Sequence, residues 1–203
     1  MSKLALDLDG YTDLPNGKIA FIVTFLEMYE NPSIEVTLRS DVRLEPWLEP
    51  DPADFKKLFL EIGEEWLWFG RLTMSDEALR DLLSEPKREV FCLMEGEERT
   101  GLLELDYADP ENVEIVYFGL TPFAIGHGKG RWLMSRAIEM AWSRAETKRL
   151  WLHTCTGDSP QALGFYRSCG FKPYKRAIEV ADDPRHTGVL SSDKGLHLPF
   201  LQD

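Results

Sequence analysis

Cysteine is scarce in this 203-residue chain, and long apolar runs are missing. Cys92, Cys155 and Cys169 form an odd set without Cys-x-x-Cys spacing. That excludes a disulfide scaffold and a zinc ribbon, and predicts free buried thiols in a reducing compartment. No uninterrupted apolar stretch approaches the ~18 residues of a membrane helix, so no span is expected. The segment Met1–Asp9 lacks the apolar core of a secretory leader, and its acids argue against a transit peptide, so a cytoplasmic location is expected. Gly-Lys-Ser/Thr does not occur, which removes a Walker loop. Dense basic patches are absent, which argues against a nucleic-acid partner. The four histidines lack ligand spacing, so no metal site is expected. With no internal repeat or low-complexity linker, one domain over residues 1–203 is expected, with 1–45 as an N-terminal strand extension.

What is present is an ordinary globular composition, 43% hydrophobic and 29% charged, with an uneven charge distribution. Residues 1–110 hold 25 Asp/Glu against 11 Lys/Arg, and residues 111–203 hold 10 against 12. The second half is thus suited to an anionic ligand, and the acidic first half either attracts a cationic one or simply aids solubility.

Hydrophobic patterning predicts a long buried strand over Lys18–Met28 and an alternating strand over Ser33–Arg39. The Pro-rich run Glu45–Pro52 reads as a turn into a helix from Ala53 to Ile62, and Ser75 as the N-cap of a helix running to Leu83. Trp66, Trp68 and Phe69 between them read as core. Strands follow over Glu89–Met94, Arg99–Tyr107 and Val113–Gly119, then a helix after Gly130. A strand over Leu150–Thr154, a helix over Ser159–Cys169 and a strand from Phe171 complete the pattern. Residues 186–202 carry no clear signal.

The most informative stretch is Val113–Arg131. An apolar strand runs into Thr121-Pro122, then Gly126-His127-Gly128-Lys129-Gly130 opens a helix. Alternate glycines let consecutive N–H groups converge, and a helix start adds unpaired amides and a positive dipole end. Together these suit a diphosphate. The third glycine comes one residue too early for the dinucleotide fingerprint Gly-x-Gly-x-x-Gly. Downstream, Ser159-Pro160-Gln161-Ala162-Leu163-Gly164-Phe165-Tyr166 precedes Gly170-Phe171.

In register, Leu120-x-Pro122-x-x-Ile125-Gly126-x-Gly128-x-Gly130 and Ser159-x-x-Ala162-x-x-Phe165-Tyr166-x-x-x-Gly170-Phe171 resemble the two signatures of the GNAT N-acetyltransferase superfamily. The resemblance covers about residues 88–180, and residues 1–87 match only loosely. Two positions depart from it: Ile125 replaces Arg or Gln, and Ser159 replaces Asn and would cap the following helix. Neither removes the backbone amides. The resemblance implies an α/β (α+β) fold with a mixed, mostly antiparallel central sheet, splayed at an acetyl-CoA site and flanked by helices.

The resemblance further implies that Phe118, Gly119 and Leu120 pair with the pantetheine arm, Gly119 being consistent with a β-bulge. It places the pyrophosphate on the amides of Gly126 to Arg131. Lys129 and Arg131, with His127, would add charge. Ser159 borders the same site. Tyr166 would be general acid toward the CoA thiolate, or else a buried structural tyrosine. Glu114-Ile115-Val116-Tyr117-Phe118-Gly119-Leu120 resembles the catalytic strand of the histone-acetyltransferase branch, which makes Glu114 the candidate base. A substrate ion pair is the alternative role for Glu114. His153 and Cys155 share one strand face, which leaves a cysteine acyl-enzyme route open. In this family the segment between the first two helices often walls the acceptor pocket, a second reading for Trp66, Trp68 and Phe69. The expected activity is direct transfer from acetyl-CoA to a small-molecule primary amine, with a homodimer left open. The alternatives are a protein Nα- or lysine acetyltransferase and a non-catalytic acetyl-CoA-binding regulator.

Overall fold

A computed structural model describes residues 5–32 and 38–201. Seven strands form one sheet in the order β2-β3-β4-β5-β6-β1-β7. They are β1 (Lys18–Met28), β2 (Arg43–Pro46), β3 (Arg88–Glu95), β4 (Glu98–Asp106), β5 (Asn112–Leu120), β6 (Arg149–Cys155) and β7 (Lys172–Asp182). Every neighbouring pair is antiparallel except β5 and β6. The helices are α1 (Pro52–Gly63), α2 (Asp76–Leu83), α3 (Lys129–Trp142) and α4 (Ala162–Ser168). No helix of the described residues is long and apolar enough to cross a membrane. The strand expected over Ser33–Arg39 lies for its first five residues outside those described.

Strand periodicity sorts the core onto two faces. On one, Phe55, Phe59 and Ile62 of α1 and Leu79 and Leu83 of α2 pack on Val90, Cys92 and Leu102. On the other, Leu133, Ala137, Ile138 and Ala141 of α3 pack on Leu103, Leu105 and Ile115. Adjacent Leu102 and Leu103 therefore serve opposite faces, as a period of two requires.

Local signals set the helix starts. The Asp51 side chain accepts from the Ala53 and Asp54 amides with Pro52 in the first turn, and Ser75 accepts from the Ala78 amide. Two expectations need correction. Pro46 closes a short edge strand rather than standing in a turn, because an edge tolerates its missing N–H. The helix expected from Ser159 starts at Ala162. Ser159 precedes Pro160, which disfavours helical backbone there, so Ser159 is not the cap. Its hydroxyl instead bonds the Gln161 side chain at 2.5 Å.

A third correction concerns Gly119. The bulge in β5 falls at Val116, since Glu104 opposes Tyr117 while Leu105 opposes Ile115. Gly119 pairs regularly with Leu102, and what requires glycine there is crowding. A Cβ would stand 2.4 Å from Ile62 Cγ2 and 3.0 Å from Trp68 Cη2. Gly119→Ala is expected to lower stability by about 1–3 kcal/mol through overpacking. Urea denaturation checks this, and an unchanged midpoint would mean that α1 moves aside without cost.

Candidate active site

The parallel pair β5/β6 is joined over only three positions, Asn112–Glu114 against Arg149–Trp151. Beyond Glu114 the strands part. From Ile115 to Leu120, β5 is bonded to β4 alone, and its other edge is open.

Two cavities occupy the gap. A groove of about 230 Å³ is bordered by Phe118, Gly119, Leu120, Ile125 and Gly130 on one side, and by Ser159 and Tyr166 on the other. A second cavity of about 190 Å³ has walls from Phe21, Trp68, Phe69, Tyr117 and Phe118. Trp66, Trp68, Phe118, Asp158 and Tyr166 line both. The structure thus brings seven of the expected cofactor residues to one groove that meets a second chamber at Tyr166.

At one end of the groove, Gly126, His127 and Gly128 take φ of 103°, 50° and 75°. Three successive left-handed residues aim the chain at the start of α3, and glycine makes two of them unstrained. Gly128 is the N-cap of α3 without any side-chain bond, so the helix start is uncapped by protein side chains. His127 holds this turn by accepting, through its carbonyl, from Arg39 Nη1 at 2.7 Å. Arg39 in turn forms two bonds to the Asp41 carboxylate, which holds that carboxyl down at about 2.

The expected charge assignments change here. The Lys129 side chain is buried, and its ammonium lies 2.5 Å from Glu95 on β3, so it ties α3 to the sheet rather than facing the turn. Arg131 bonds the hydroxyl and carbonyl of Ser168, joining α3 to α4. Arg39 is the cation that stands beside the turn. It lies in the region where the sequence resemblance was loose, and no spacing pointed to it.

Tyr166 is wedged among Phe118, Phe165 and Phe171, with ring centroids 6.2, 5.5 and 6.4 Å away. Burial, with the charge of Asp158 as a smaller cause, holds its phenol protonated well above the ordinary tyrosine range. Asp158 is fixed on three sides. It accepts from Trp68 Nε1 at 3.0 Å, from the Thr154 hydroxyl at 2.6 Å and from the Cys155 amide at 2.9 Å. Sequence reasoning missed Asp158, although it directly precedes the tyrosine motif.

The aromatic segment Trp66–Phe69 serves both readings, core and cavity wall. Residues 183–200, silent in the sequence, secure it. Lys194 pairs with Glu64 and Glu65, and His197 Nε2 lies 2.9 Å from the Gly157 carbonyl oxygen. Buried Arg185 pairs with Asp183 and donates to the Leu198 carbonyl at 2.8 Å.

Cys155 lines the second cavity, but burial pushes its thiol up to about 11. The His153 ring lies tilted at 43° to Phe25 with centroids 5.6 Å apart, while the Cys155 sulfur accepts from the Gly157 amide at 3.3 Å. Nothing among the described residues activates that thiol. The three cysteines are free, and no metal-binding cluster occurs among the described residues.

Glu114 lies in a separate recess with Asp106, Arg149 and Lys175. At about 3.3 Å per residue, the four residues from Glu114 to Phe118 span roughly 13 Å. It therefore does not touch the junction at Tyr166. Burial, then the like charge of Asp106, pushes its carboxyl up to about 7, with Arg88 opposing. A carboxyl raised in the fold binds its proton more tightly there than in the unfolded chain. Its contribution therefore weakens stability as pH rises from about 4.5 towards 7. Glu114→Gln should raise the urea midpoint at pH 8 and leave it nearly unchanged at pH 4.5; equal effects at both would contradict the raised carboxyl.

A family model described as "Acetyltransferase (GNAT) family" matches residues 43–171. No curated protein matches the chain. Solved structures with the same fold include a functionally unknown conserved protein from Staphylococcus epidermidis. It has TM-score 0.58 and 13% identity over 82% of this chain, which covers 64% of that one, less than two thirds. A GNAT family acetyltransferase from Elizabethkingia anophelis, with acetyl-CoA bound, has TM-score 0.51 and 22% identity, covering 68% of this chain and 80% of that one. A Bacillus subtilis acetyltransferase in complex with CoA has TM-score 0.50 and 24% identity, covering 64% of this chain and 76% of that one.

Proposed function

The chain belongs to the GNAT acetyltransferase family, and on that premise we propose that it transfers acetyl from acetyl-CoA directly to a small primary amine in a ternary complex. The observation that carries this reading is the meeting of two cavities at Trp68, Phe118, Asp158 and Tyr166. One cavity receives the cofactor and the other the acceptor. The unactivated Cys155 thiol favours direct transfer over an acyl-enzyme.

When bound, acetyl-CoA supplies a thioester whose sulfur departs as the amine nitrogen attacks. The open edge of β5 offers unpaired backbone groups to an extended pantetheine arm, by the logic of strand addition. Phe118, Gly119 and Leu120 hold that arm. The amides around Gly126 to Arg131 and the dipole of α3 hold the diphosphate, with Arg39 beside them. Gly126 and Gly128 suit that role, because each takes a left-handed φ that glycine adopts without strain.

The acceptor arrives as an ammonium and loses one proton before attack. The C–N bond then forms as the C–S bond breaks. Tyr166 gives its phenolic proton to the departing sulfur, and the nitrogen's second proton restores the phenol. Because burial keeps that phenol protonated, it is a donor at every physiological pH. Glu114, in its separate recess, is the assigned final acceptor of the first proton, which has to cross from the junction to reach it. What supports this assignment is its carboxyl near 7, a value suited to a base at neutral pH.

Tyr166→Phe should lower kcat by roughly 10²-fold or more, a size typical of general-acid loss, with acetyl-CoA affinity nearly unchanged. Undiminished turnover would sink the general-acid role and favour a non-catalytic cofactor-binding protein. Gly128→Glu should abolish acetyl-CoA binding in calorimetry, since it places a bulky anion at a left-handed position in the phosphate turn. Normal binding would refute that placement.

A further inference from the structure

The second cavity has an unusual lining. Its walls are aromatic, yet Asp158 and Glu179 also face it; His153 is the one basic side chain in its lining, and no lysine or arginine borders it. Elsewhere, Glu104, Asp182 and Asp183 are ion-paired. Among the described residues, no ion pair engages Asp158 or Glu179. Asp158 is held instead by neutral donors, with bonds from Trp68, Thr154 and the Cys155 amide. Glu179 stands on β7 opposite Phe21, and direct cross-strand partners share a sheet face. Phe21 in turn crowds Gly157, where a Cβ would lie 2.8 Å from the ring. The two carboxylates thus border one aromatic chamber, Asp158 from the turn after β6 and Glu179 from β7.

Resting on the acetyl-transfer reading above, we propose that this cavity selects a cationic primary amine on an apolar or aromatic body and rejects acceptors that carry a carboxylate. Three physical arguments support it. Aromatic faces attract an ammonium and accommodate an apolar body. Two carboxylates without cationic partners raise the local concentration of a cation. A carboxylate on the acceptor would find like charge and no lysine or arginine to receive it, a juxtaposition that costs several kcal/mol. The cavity volume of about 190 Å³ falls below the ~300–1,000 Å³ of drug-sized sites. That favours a small amine over a folded protein's side chain with its flanking backbone. Asp158 anchors the ammonium next to Tyr166, and Glu179 screens the entering charge.

2-Phenylethylamine and L-phenylalanine share a body and differ by one carboxylate, so they form the test pair. Acetyl-CoA binding is first measured by calorimetry on the full chain, and thiol release is then followed with each acceptor. The amine should exceed the amino acid in kcat/KM by about 10²-fold, as like-charge rejection predicts. Exposed Glu179 can be changed without disturbing the core. Glu179→Lys should raise KM for the amine, narrow the gap between the pair and leave acetyl-CoA affinity unaltered. Glu179→Gln should fall between. A merely structural role would shift both acceptors together and would overturn the assignment of Glu179. Acetyl-CoA binding with turnover of the amino acid equal to or above the amine, or of neither, overturns the selectivity while the cofactor reading stands. Failure to bind acetyl-CoA overturns the acetyl-transfer reading itself, and this inference with it.

Discussion

Everything in the site depends on two parallel strands that stop pairing after three residues. Had β5 and β6 stayed joined, their spacing of about 4.8 Å would have left no room for a ligand between them. Divergence releases a row of backbone donors and acceptors on β5, which only an extended ligand or water can satisfy. The bulge at Val116 re-aims the strand at the point where it leaves its neighbour. Phe118, Phe165 and Tyr166 then fill the wedge on one face with rings. Aromatic packing keeps the gap from closing, and it places Tyr166 in the lining of both chambers.

The chambers differ because different elements wall them. The groove is built from the end of β5, the start of α3 and the segment leading into α4, with Ile62, Leu120, Ile125 and Phe165 making it largely apolar and Gly119, Gly130 and Ala162 leaving it open. The second cavity is built from β1, β6, β7 and the Trp66–Phe69 segment, where rings and carboxylates dominate. That segment follows the end of α1 and includes Leu67 at φ 53°, a strained position for a branched side chain. Its geometry is held by tertiary contacts: Leu67 is buried with Ile19, Phe21 and Leu190, and Gly195 packs so closely that a Cβ would meet Leu67 at 2.5 Å. A tail without regular structure thereby fixes this wall of the second cavity.

The core of the fold and the glycine turn before α3 were legible because they are local. A strand, three alternate glycines and a helix occupy consecutive positions, and periodicity reported the strands and the long helices. Side-chain partners were not legible, because they are set by contacts distant in sequence. Lys129 faces Glu95 across 34 positions, and Arg39 reaches His127 across 88. Charge balance by halves does not map onto the clefts. The carboxylates facing the second cavity, Asp158 and Glu179, come from the half with the positive balance. The cation beside the phosphate turn, Arg39, comes from the acidic half. Folding interleaves the halves, so a sum over residues does not predict the field in a cleft. Gly119 teaches a similar lesson. The sequence marked it correctly as special, but the cause is a neighbouring helix rather than the strand's own geometry.

The buried charges under the cavity show why the wall is precise rather than merely apolar. Glu104 is fully buried, and one of its oxygens takes both Arg71 and Arg88. Arg88 continues to Asp106, and the Arg71 guanidinium lies 4.9 Å from the centre of the Tyr117 ring. Removing such charges from water costs several kcal/mol per ion, and apolar replacements of equal volume are often no less stable. The cluster is therefore poorly explained as a stabilising device. Its geometry gives a better account. Arg71 belongs to the segment after Phe69, Glu104 to β4, and Tyr117 to the cavity wall beside the bulge. A single buried oxygen shared by two guanidinium groups fixes those elements with directional bonds that apolar packing would leave free to slide. The same cluster also acts on Glu114 in both directions, Asp106 and Glu104 pushing its carboxyl up while Arg88 and Arg71 oppose them. The residues that fix the aromatic wall are therefore also among those that set the field at Glu114, although burial is the larger cause there.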